Sequence, residues 1–288
     1  MVEMGQIFKE LRTARKISLK EAAGQALSYS MLSKFENGDS DITISKLLPA
    51  LDNIHTDLAE FAYLVRGFQP SQRHLLKQEI WRALEKKDFA YLQKGYEREK
   101  ATYQETGQEA NLLNALTFKT YLATNSVSVE LTEDEQAFLY DYLFRVDIWG
   151  EYELAIFTDI SPLLPLESYF RYTREMLQRI DFFEGLNSHR NAIHTILLNG
   201  LFKAVEQKDL IKAAYFDKQI KIRFFEENEA YLRLIYRIAD GHHTYLRGEK
   251  EAGREKIRSS IEILRLLGCR SSADYYQENF ADVLKAFE

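Results

Sequence analysis

Proline and glycine, the two residues that most often interrupt helices, are scarce in this chain: it has 4 prolines and 13 glycines among 288 residues. Apolar residues recur instead with the spacing of one helix face, as Ile7, Leu11 and Ala14 do. A spacing of three and four residues is typical of an amphipathic helix, and the lack of breakers allows such helices to be long. The sequence therefore predicts an all-α fold.

Helix-capping signals divide the start of the chain into five short helices. Ser18 followed by Glu21 is a capping box, in which each side chain can accept a hydrogen bond from a backbone N–H at the start of a helix. Thr43 stands in the same kind of position before another apolar stretch. We therefore expect a five-helix domain at residues 1–66, followed by a linker at residues 67–70.

Residues 71–288 are predicted to form a second domain of longer helices joined by short turns, which force consecutive helices to run antiparallel. Alanines follow three of the joints, at Ala155, Ala213 and Ala252. Tetratricopeptide hairpins use a small residue in this way to bring two helices close together. We expect a degenerate tetratricopeptide-like α-solenoid, with an irregular helical bundle as the alternative. The predicted helices are 71–87, 89–105, 108–124, 132–148, 151–160, 166–184, 187–206, 209–227, 229–247, 250–267 and 272–287.

The placement of cysteine and histidine argues against an enzyme or a metal protein. Cys269 is the single cysteine, so no disulfide can form within the chain, which fits a reducing cytoplasm. His189 and His194 have no partner at metal-ligand spacing, and the sequence has no glycine-rich phosphate loop. No apolar run approaches the ~18 residues of a membrane span, and the first residues lack a signal peptide. We expect a cytoplasmic protein that uses no cofactor, metal or membrane contact and is not an enzyme.

Positive charge is concentrated near the N-terminus of a chain whose net charge is −6. Six basic and three acidic residues lie within positions 1–34, and DNA binding needs a basic face, not a basic protein. Met31, Leu32 and Phe35 form one apolar side of a predicted helix, which leaves small polar and basic side chains to enter a major groove. Ser28 can also serve as a helix N-cap. The predicted contacts to double-stranded DNA are Arg15, Lys16, Ser28, Ser30, Ser33 and Lys34.

The same region resembles the Xre/Cro type of helix-turn-helix. The similarity lies in Leu-Arg-Thr-Ala-Arg-Lys-Ile-Ser at 11–18, Ala-Ala at 22–23 and Leu-Ser-Tyr-Ser-Met-Leu-Ser-Lys-Phe-Glu-Asn-Gly at 27–38. The resemblance implies that Arg12 pairs with Glu36 as a structural support, with a phosphate contact as the alternative for Arg12. Leu19 departs from the family pattern, because a glutamine that touches phosphate usually stands there.

A narrower resemblance extends over the whole chain, which is similar to the Rgg/MutR regulators of streptococci in length and layout. The matching stretches include Leu-Ser-Lys-Phe-Glu at 32–36, the segment at 141–154 that contains Ile-Trp-Gly-Glu-Tyr, and the segment at 191–199. The resemblance implies a homodimer that binds a short signalling peptide, a quorum-sensing pheromone, in the concave face of its helical repeats. It also implies control of nearby promoters, as activator or repressor, with RNA polymerase as a candidate partner.

Candidate peptide contacts carry amide, guanidinium or aromatic groups. Asn187, Asn191 and Asn199 belong to one predicted helix, and an asparagine amide can pair with the backbone of an extended peptide; capping or solvating the helix is the alternative. The arginines could instead form surface ion pairs, and the aromatic residues could instead pack in the core. These further candidates are Arg145, Arg223, Arg237, Trp149, Tyr231, Tyr236 and Phe182–Phe183. The alternative for the whole domain is a protein-interaction scaffold that senses no peptide.

Overall fold

The computed structural model of this protein describes residues 4–69, 72–125, 129–180 and 185–285. Within these ranges the chain consists of α-helices, one short 3₁₀ turn and the connections between them, and it contains no β-strand. The helices form two compact units, Met1–Lys86 and Lys87–Glu288. The prediction of an all-α fold is confirmed.

The first unit begins with the five predicted short helices. Phe8 and Leu32 lie in the core that these helices enclose. The predicted capping box is present, since the Ser18 hydroxyl accepts a hydrogen bond from the Glu21 N–H and the Glu21 carboxylate accepts one from the Ser18 N–H. Thr43 precedes its helix as expected, but its hydroxyl makes no capping hydrogen bond. The helices are α1 (Met4–Ala14), α2 (Leu19–Ala23), α3 (Tyr29–Glu36), α4 (Ile44–Asn53), α5 (Leu58–Val65) and α6 (Gln72–Glu85).

The division between the two units falls after α6, later in the chain than the sequence analysis places it. A turn follows α5, in which Gly67 adopts a left-handed conformation with φ of +64°. α6 comes after this turn and groups with the first five helices. The domain limits of 1–66 and 71–288, with the linker between them, stay a prediction.

A buried ion pair joins α1 to α3. The Arg12 guanidinium donates to both carboxylate oxygens of Glu36, from Nε to Oε1 at 2.6 Å and from Nη2 to Oε2 at 2.8 Å. Its Nη1 donates to the carbonyl of Ile17 at 2.7 Å, in the turn before α2. The two side chains are only 9% and 2% exposed, and the hydrogen bond to Glu36 raises the pKa of Arg12 above its usual value. The pair therefore ties α1, α3 and the turn into α2 to one another.

The second unit contains longer helices around one extended core. Trp149, Tyr169 and Phe216 are among its fully buried side chains. A short 3₁₀ turn, Ser161–Leu163, follows the fourth of these helices. Those within the described ranges are α7 (Phe89–Thr106), α8 (Glu109–Asn125), α9 (Glu133–Arg145), α10 (Glu151–Ile160), α11 (Leu166–Gln178), α12 (Asn187–Glu206), α13 (Leu210–Ile222), α14 (Ala230–Leu246), α15 (Lys250–Leu266), α16 (Arg270–Asn279) and α17 (Ala281–Leu284).

Several helices end earlier than the sequence predicts. After two of them, an arginine side chain donates a hydrogen bond to a backbone carbonyl that follows the helix. Arg179 donates to the carbonyl of Val146 at 2.6 Å, just after α9. Arg233 donates to the carbonyl of Phe225 at 2.8 Å, in the connection after α13. A carbonyl held by a side chain from elsewhere in the fold is satisfied without a helical hydrogen bond. The helix predicted at 272–287 is also divided, into α16 and α17.

Glycines allow the paired helices of the second unit to approach closely. α7 packs along α8, α12 along α13, and α14 along α15. A Cβ atom on Gly95 would lie 2.5 Å from the ring of Phe118, which is too close for any real contact. Of the three alanines expected in this role, Ala213 is fully buried, Ala155 is half-buried and Ala252 is exposed. Glycines supply the tightest contacts between these helices. The contacts are Gly95 with Phe118, Gly200 with Phe216, and Gly241 with Gly253.

Substitution of Gly95 tests how much the second unit depends on this close packing. We expect Gly95→Ala to lower the free energy of unfolding by roughly 1–3 kcal/mol, because the extra methyl group overpacks the interior even though alanine favours a helix. Lys94→Ala, at the exposed neighbouring position, should change it by no more than about 0.5 kcal/mol. Denaturant unfolding followed by circular dichroism measures both. A Gly95→Ala protein as stable as the wild type would show that the contact is dispensable.

Removal of Arg12 tests the ion pair in the first unit. Arg12→Met should lower the free energy of opening that protects the α1 and α3 amides from hydrogen exchange by roughly 3 kcal/mol. The reason is that the Glu36 carboxylate is left buried without a cation. Hydrogen exchange on the full chain measures the amide protection of each helix separately. Lys9→Ala is the matched control, since it removes an exposed 3.3 Å hydrogen bond to Asn37 and should cost less than about 1 kcal/mol. Equal losses in the two variants would refute a special role for the buried pair.

Candidate functional site

α3 is capped at its start and docked along one side. Ser28 is the N-cap, and its hydroxyl accepts a hydrogen bond from the Met31 N–H at 3.2 Å. Leu32 and Phe35 are buried, and the ring of Phe35 meets the ring of Phe8 edge-on with centroids 6.0 Å apart. With this side packed against the core, the opposite side and the first turn of α3 face solvent.

The predicted DNA contacts lie in the turn that follows α1, at the N-cap of α3 and in α3 itself. α1 packs against α3, so the end of one helix and the outer side of the other belong to a single packed unit. Arg15, in the turn after α1, also donates to the carbonyl of Leu11 at 3.3 Å. Tyr29, which the sequence analysis did not include among the contacts, places a 60% exposed ring at the first position of α3. Exposed candidates are Arg15, Lys16, Ser28, Ser30 and Lys34, whereas Ser33 is half-buried.

Two of the predicted peptide contacts are core residues. Trp149 is fully buried and packs edge-on against Phe157, with ring centroids 5.7 Å apart. Tyr236 is 8% exposed, and its hydroxyl donates to Asp217 at 2.7 Å. Neither side chain presents a surface to a ligand. Both residues therefore follow the alternative given above for the aromatic candidates, which is packing in the core, and not the predicted peptide contact.

The three predicted arginines are engaged by neighbours in the fold. Arg145 is exposed and forms a 2.6 Å ion pair with Glu109, which is the surface pairing kept as the alternative in the sequence analysis. The two others make single side-chain hydrogen bonds: Arg223 to Gln219 at 2.9 Å, and Arg237 to Ser259 at 3.3 Å.

The predicted asparagines are distributed along α12. Asn187 and Asn191 are exposed in the first part of the helix. Asn199, further along, is half-buried and donates to the Ser161 hydroxyl at 3.4 Å. The Phe182–Phe183 pair, also considered for a groove, lies outside the described residues.

A cavity of about 620 Å³ opens beside the second half of α12. α14, α16 and the 3₁₀ turn supply the rest of its wall. Asn199 and Tyr231 are the predicted peptide contacts that line it. Its other polar lining groups include Thr195, Lys203, Glu206 and Asn279, and its aromatic lining residues are Phe202, Tyr275, Tyr276 and Phe280.

An aromatic stack forms one side of the cavity. The ring of Tyr276 stacks on Phe202 at 5.8 Å and on Phe280 at 6.4 Å, and burial raises the pKa of Tyr276. His242 meets Phe280 edge-on at 5.1 Å, and burial lowers the pKa of His242. A mostly apolar pocket with a few convergent polar groups is the usual form of a small-ligand site, and such sites have volumes of roughly 300–1,000 Å³.

One signal for this cavity is present in the sequence, in the spacing of polar residues along α12. Asn191, Thr195 and Asn199 recur every four residues, which places them along one side of a helix. The same spacing continued by one step reaches Lys203, which lines the cavity with Thr195 and Asn199. The aromatic residues of α16 carry no comparable signal, because nothing in their local sequence connects them to α12.

In the described part of the chain, no helix is both long enough and apolar enough to cross a membrane. In the same residues, no group of three or more histidine, cysteine, aspartate or glutamate side chains is placed to hold a metal ion.

Solved structures share this architecture over nearly the whole chain. The crystal structure of the Streptococcus dysgalactiae SHP pheromone receptor Rgg2 is 24% identical, with a TM-score of 0.84 over 97% of this chain and 99% of that one. The PrgX/cCF10 complex is 15% identical, with a TM-score of 0.77 over 100% and 95%. A bacterial peptide pheromone/receptor complex is 14% identical, with a TM-score of 0.74 over 98% and 99%. At these identities the likeness shows that the fold is shared.

The family of the chain follows from its own sequence. Residues 93–278 match the C-terminal domain of the HTH-type transcriptional regulator Rgg, which is more than half of the chain. The match begins in α7 and ends in α16, so it includes the helices that line the cavity. It confirms the predicted regulator family and supports the expectation that the protein is not an enzyme. With the helix-turn-helix in the first unit and this domain in the second, the chain belongs to the family of HTH-type transcriptional regulators named Rgg.

Proposed function

We propose that this protein is a DNA-binding transcription regulator whose activity is controlled by a short signalling peptide bound in the cavity beside α12. The observation that carries the proposal is that one chain combines a candidate DNA-binding helix with a candidate ligand-binding cavity. An exposed helix tip with small polar and basic side chains is joined to a helical domain that contains a ligand-sized cavity. The solved relatives named as a pheromone receptor and as a pheromone/receptor complex support the same assignment.

The DNA-binding part rests on the exposure and chemistry of two segments. Lys34 and Ser30 lie on the outer side of α3, where a helix in the major groove would meet base edges and phosphates. Arg15 and Lys16 follow at the end of α1, which crosses the DNA backbone in proteins of this type. Arg12 takes no part in this contact set, because its guanidinium is already held by Glu36.

The peptide-binding part rests on the polar edge and aromatic side of the cavity. Thr195 and Asn199 offer hydrogen-bonding groups to the amides of an extended peptide, and the stack around Tyr276 offers apolar surface to its side chains. Asn191 extends the same side of α12 and is included. The remaining candidates, Asn187, Arg145, Arg223 and Arg237, lie outside the lining and stay predictions.

A homodimer is part of the proposal, since operators usually have two-fold symmetry that a symmetric dimer matches. RNA polymerase is the candidate partner of the DNA-bound dimer. We also infer a cytoplasmic location, where both the promoter and RNA polymerase are found. The alternative function, a scaffold that binds proteins through its repeats, requires no DNA contact.

DNA binding is tested by its dependence on salt. Arg15→Ala should weaken binding to every duplex and reduce the slope of log affinity against log salt by about one unit, because one phosphate contact is lost. Fluorescence anisotropy with a duplex from the gene's own upstream region, from 50 to 200 mM salt, measures the slope. Arg82→Ala, exposed on α6, is the control and should keep it.

Two results would contradict this assignment. An unchanged slope for Arg15→Ala would show that Arg15 does not contact phosphate and that its role is structural, through its hydrogen bond to Leu11. No binding by the wild-type protein at the lowest salt concentration, where phosphate contacts are strongest, would remove the DNA-binding proposal and favour the scaffold.

Peptide binding is tested with a library of synthetic octapeptides, from which the full chain captures ligands for identification by mass spectrometry. Asn199→Ala should weaken binding of the most enriched peptide by roughly 10-fold, the effect of losing about one hydrogen bond inside a cavity. Asn228→Ala, exposed in the connection between α13 and α14, is the matched control and should bind normally. Equal affinity for all three proteins, by calorimetry, would exclude Asn199 from the site.

A further inference from the structure

Two charged side chains in the cavity, Lys203 and Glu206, have no ionic partner. They lie three residues apart on α12, which places them on neighbouring turns of the helix. Over the described ranges of the chain, neither side chain makes a hydrogen bond, and neither lies within 4.0 Å of an oppositely charged group. Most other charged residues that face the interior of this unit, such as Lys119 with Glu135, are paired.

The surroundings of Lys203 make this lack of a partner costly. Burial lowers the pKa of Lys203 and outweighs the attraction of Glu206, which acts in the opposite direction. Burial likewise raises the pKa of Glu206, although its residue is exposed over more of its surface than Lys203. The ammonium group is therefore partly removed from water, and the attraction of Glu206, which forms no ion pair with it, does not offset that cost. An anion that binds the ammonium group in the cavity would regain part of this free energy.

Resting on the proposed function, we propose that Lys203 binds the free C-terminal carboxylate of the signalling peptide, with Glu206 accepting a hydrogen bond from one of its last backbone N–H groups. The end of a peptide presents a carboxylate and an N–H on the same residue. A cation and an acceptor on neighbouring helical turns complement that pair of groups.

The rest of the cavity fits the end of a peptide better than its middle. The stack of Phe202, Tyr276 and Phe280 offers apolar surface to a last side chain. Asn199 and Thr195 precede Lys203 along α12 by one and two turns, so they can pair with the amides of the preceding residues. The peptide is therefore oriented with its C-terminus toward Lys203.

The same octapeptide library tests this orientation when every sequence is made in matched forms. The forms are the free acid, the C-terminal amide, the N-acetylated free acid, and an amide whose last residue is aspartate. The full chain captures ligands from equal amounts of each form. We expect at least 10-fold enrichment of the free acid over the amide, no loss on N-acetylation, and no rescue by the aspartate side chain.

Variants of Lys203 connect the preference to this residue. Lys203→Met should bind the acid and amide forms equally, whereas Lys203→Arg should keep the preference. Lys218→Met, at an exposed position on α13, is the matched control and should also keep it. Circular dichroism confirms that each variant is folded.

The possible failures are distinguishable from one another. Equal enrichment of acid and amide by the wild-type protein would overturn the carboxylate proposal and leave peptide binding intact. Rescue by the aspartate form would assign the anion to a side chain, and loss on N-acetylation would reverse the orientation; either result overturns the proposal. Enrichment of no form would remove the proposed peptide-binding function together with it.

Discussion

Close contact between glycine backbones and the side chains of neighbouring helices sets the geometry of the second unit. Where α12 passes α13, Gly200 meets the ring of Phe216, and a side chain at Gly200 would occupy the space of that ring. This contact fixes one side of α12 against its partner. A different side of the same helix, which carries Asn199 and Lys203, is then presented to the cavity. A larger residue at Gly200 would therefore act on the cavity as well as on the core.

The first unit depends on electrostatics in a comparable way. The Arg12–Glu36 pair is nearly removed from water, so each charge would be costly without the other. Its three hydrogen-bonded contacts join two helices and the turn between α1 and α2. The outer side of α3 can expose polar groups such as Lys34 because the orientation of the helix is held from its buried side.

The sequence predicts the first unit far better than the cavity. The capping box at Ser18 and Glu21 and the cap at Ser28 are local, since each joins residues that are three positions apart. The cavity instead brings α12 together with α14 and α16, whose residues are distant in sequence. Residue type alone did not identify the residues that line the cavity. Trp149, a candidate peptide contact, is buried in the core. Lys203 lines the cavity, but nothing in the sequence distinguishes it from a lysine on the surface of a helix.

The amino-acid sequence by itself determined the helical class, the helix-turn-helix and the capping of its first helices. These follow from the spacing of apolar residues and from hydrogen bonds between near neighbours. Only the tertiary structure decided where α9 ends, just before the Val146 carbonyl that Arg179 reaches from 33 residues further along the chain. It also decided which residues line the cavity and left Lys203 there without an ion pair. The physical reason is that burial and ionic pairing depend on contacts between distant segments, which periodicity along one helix does not encode.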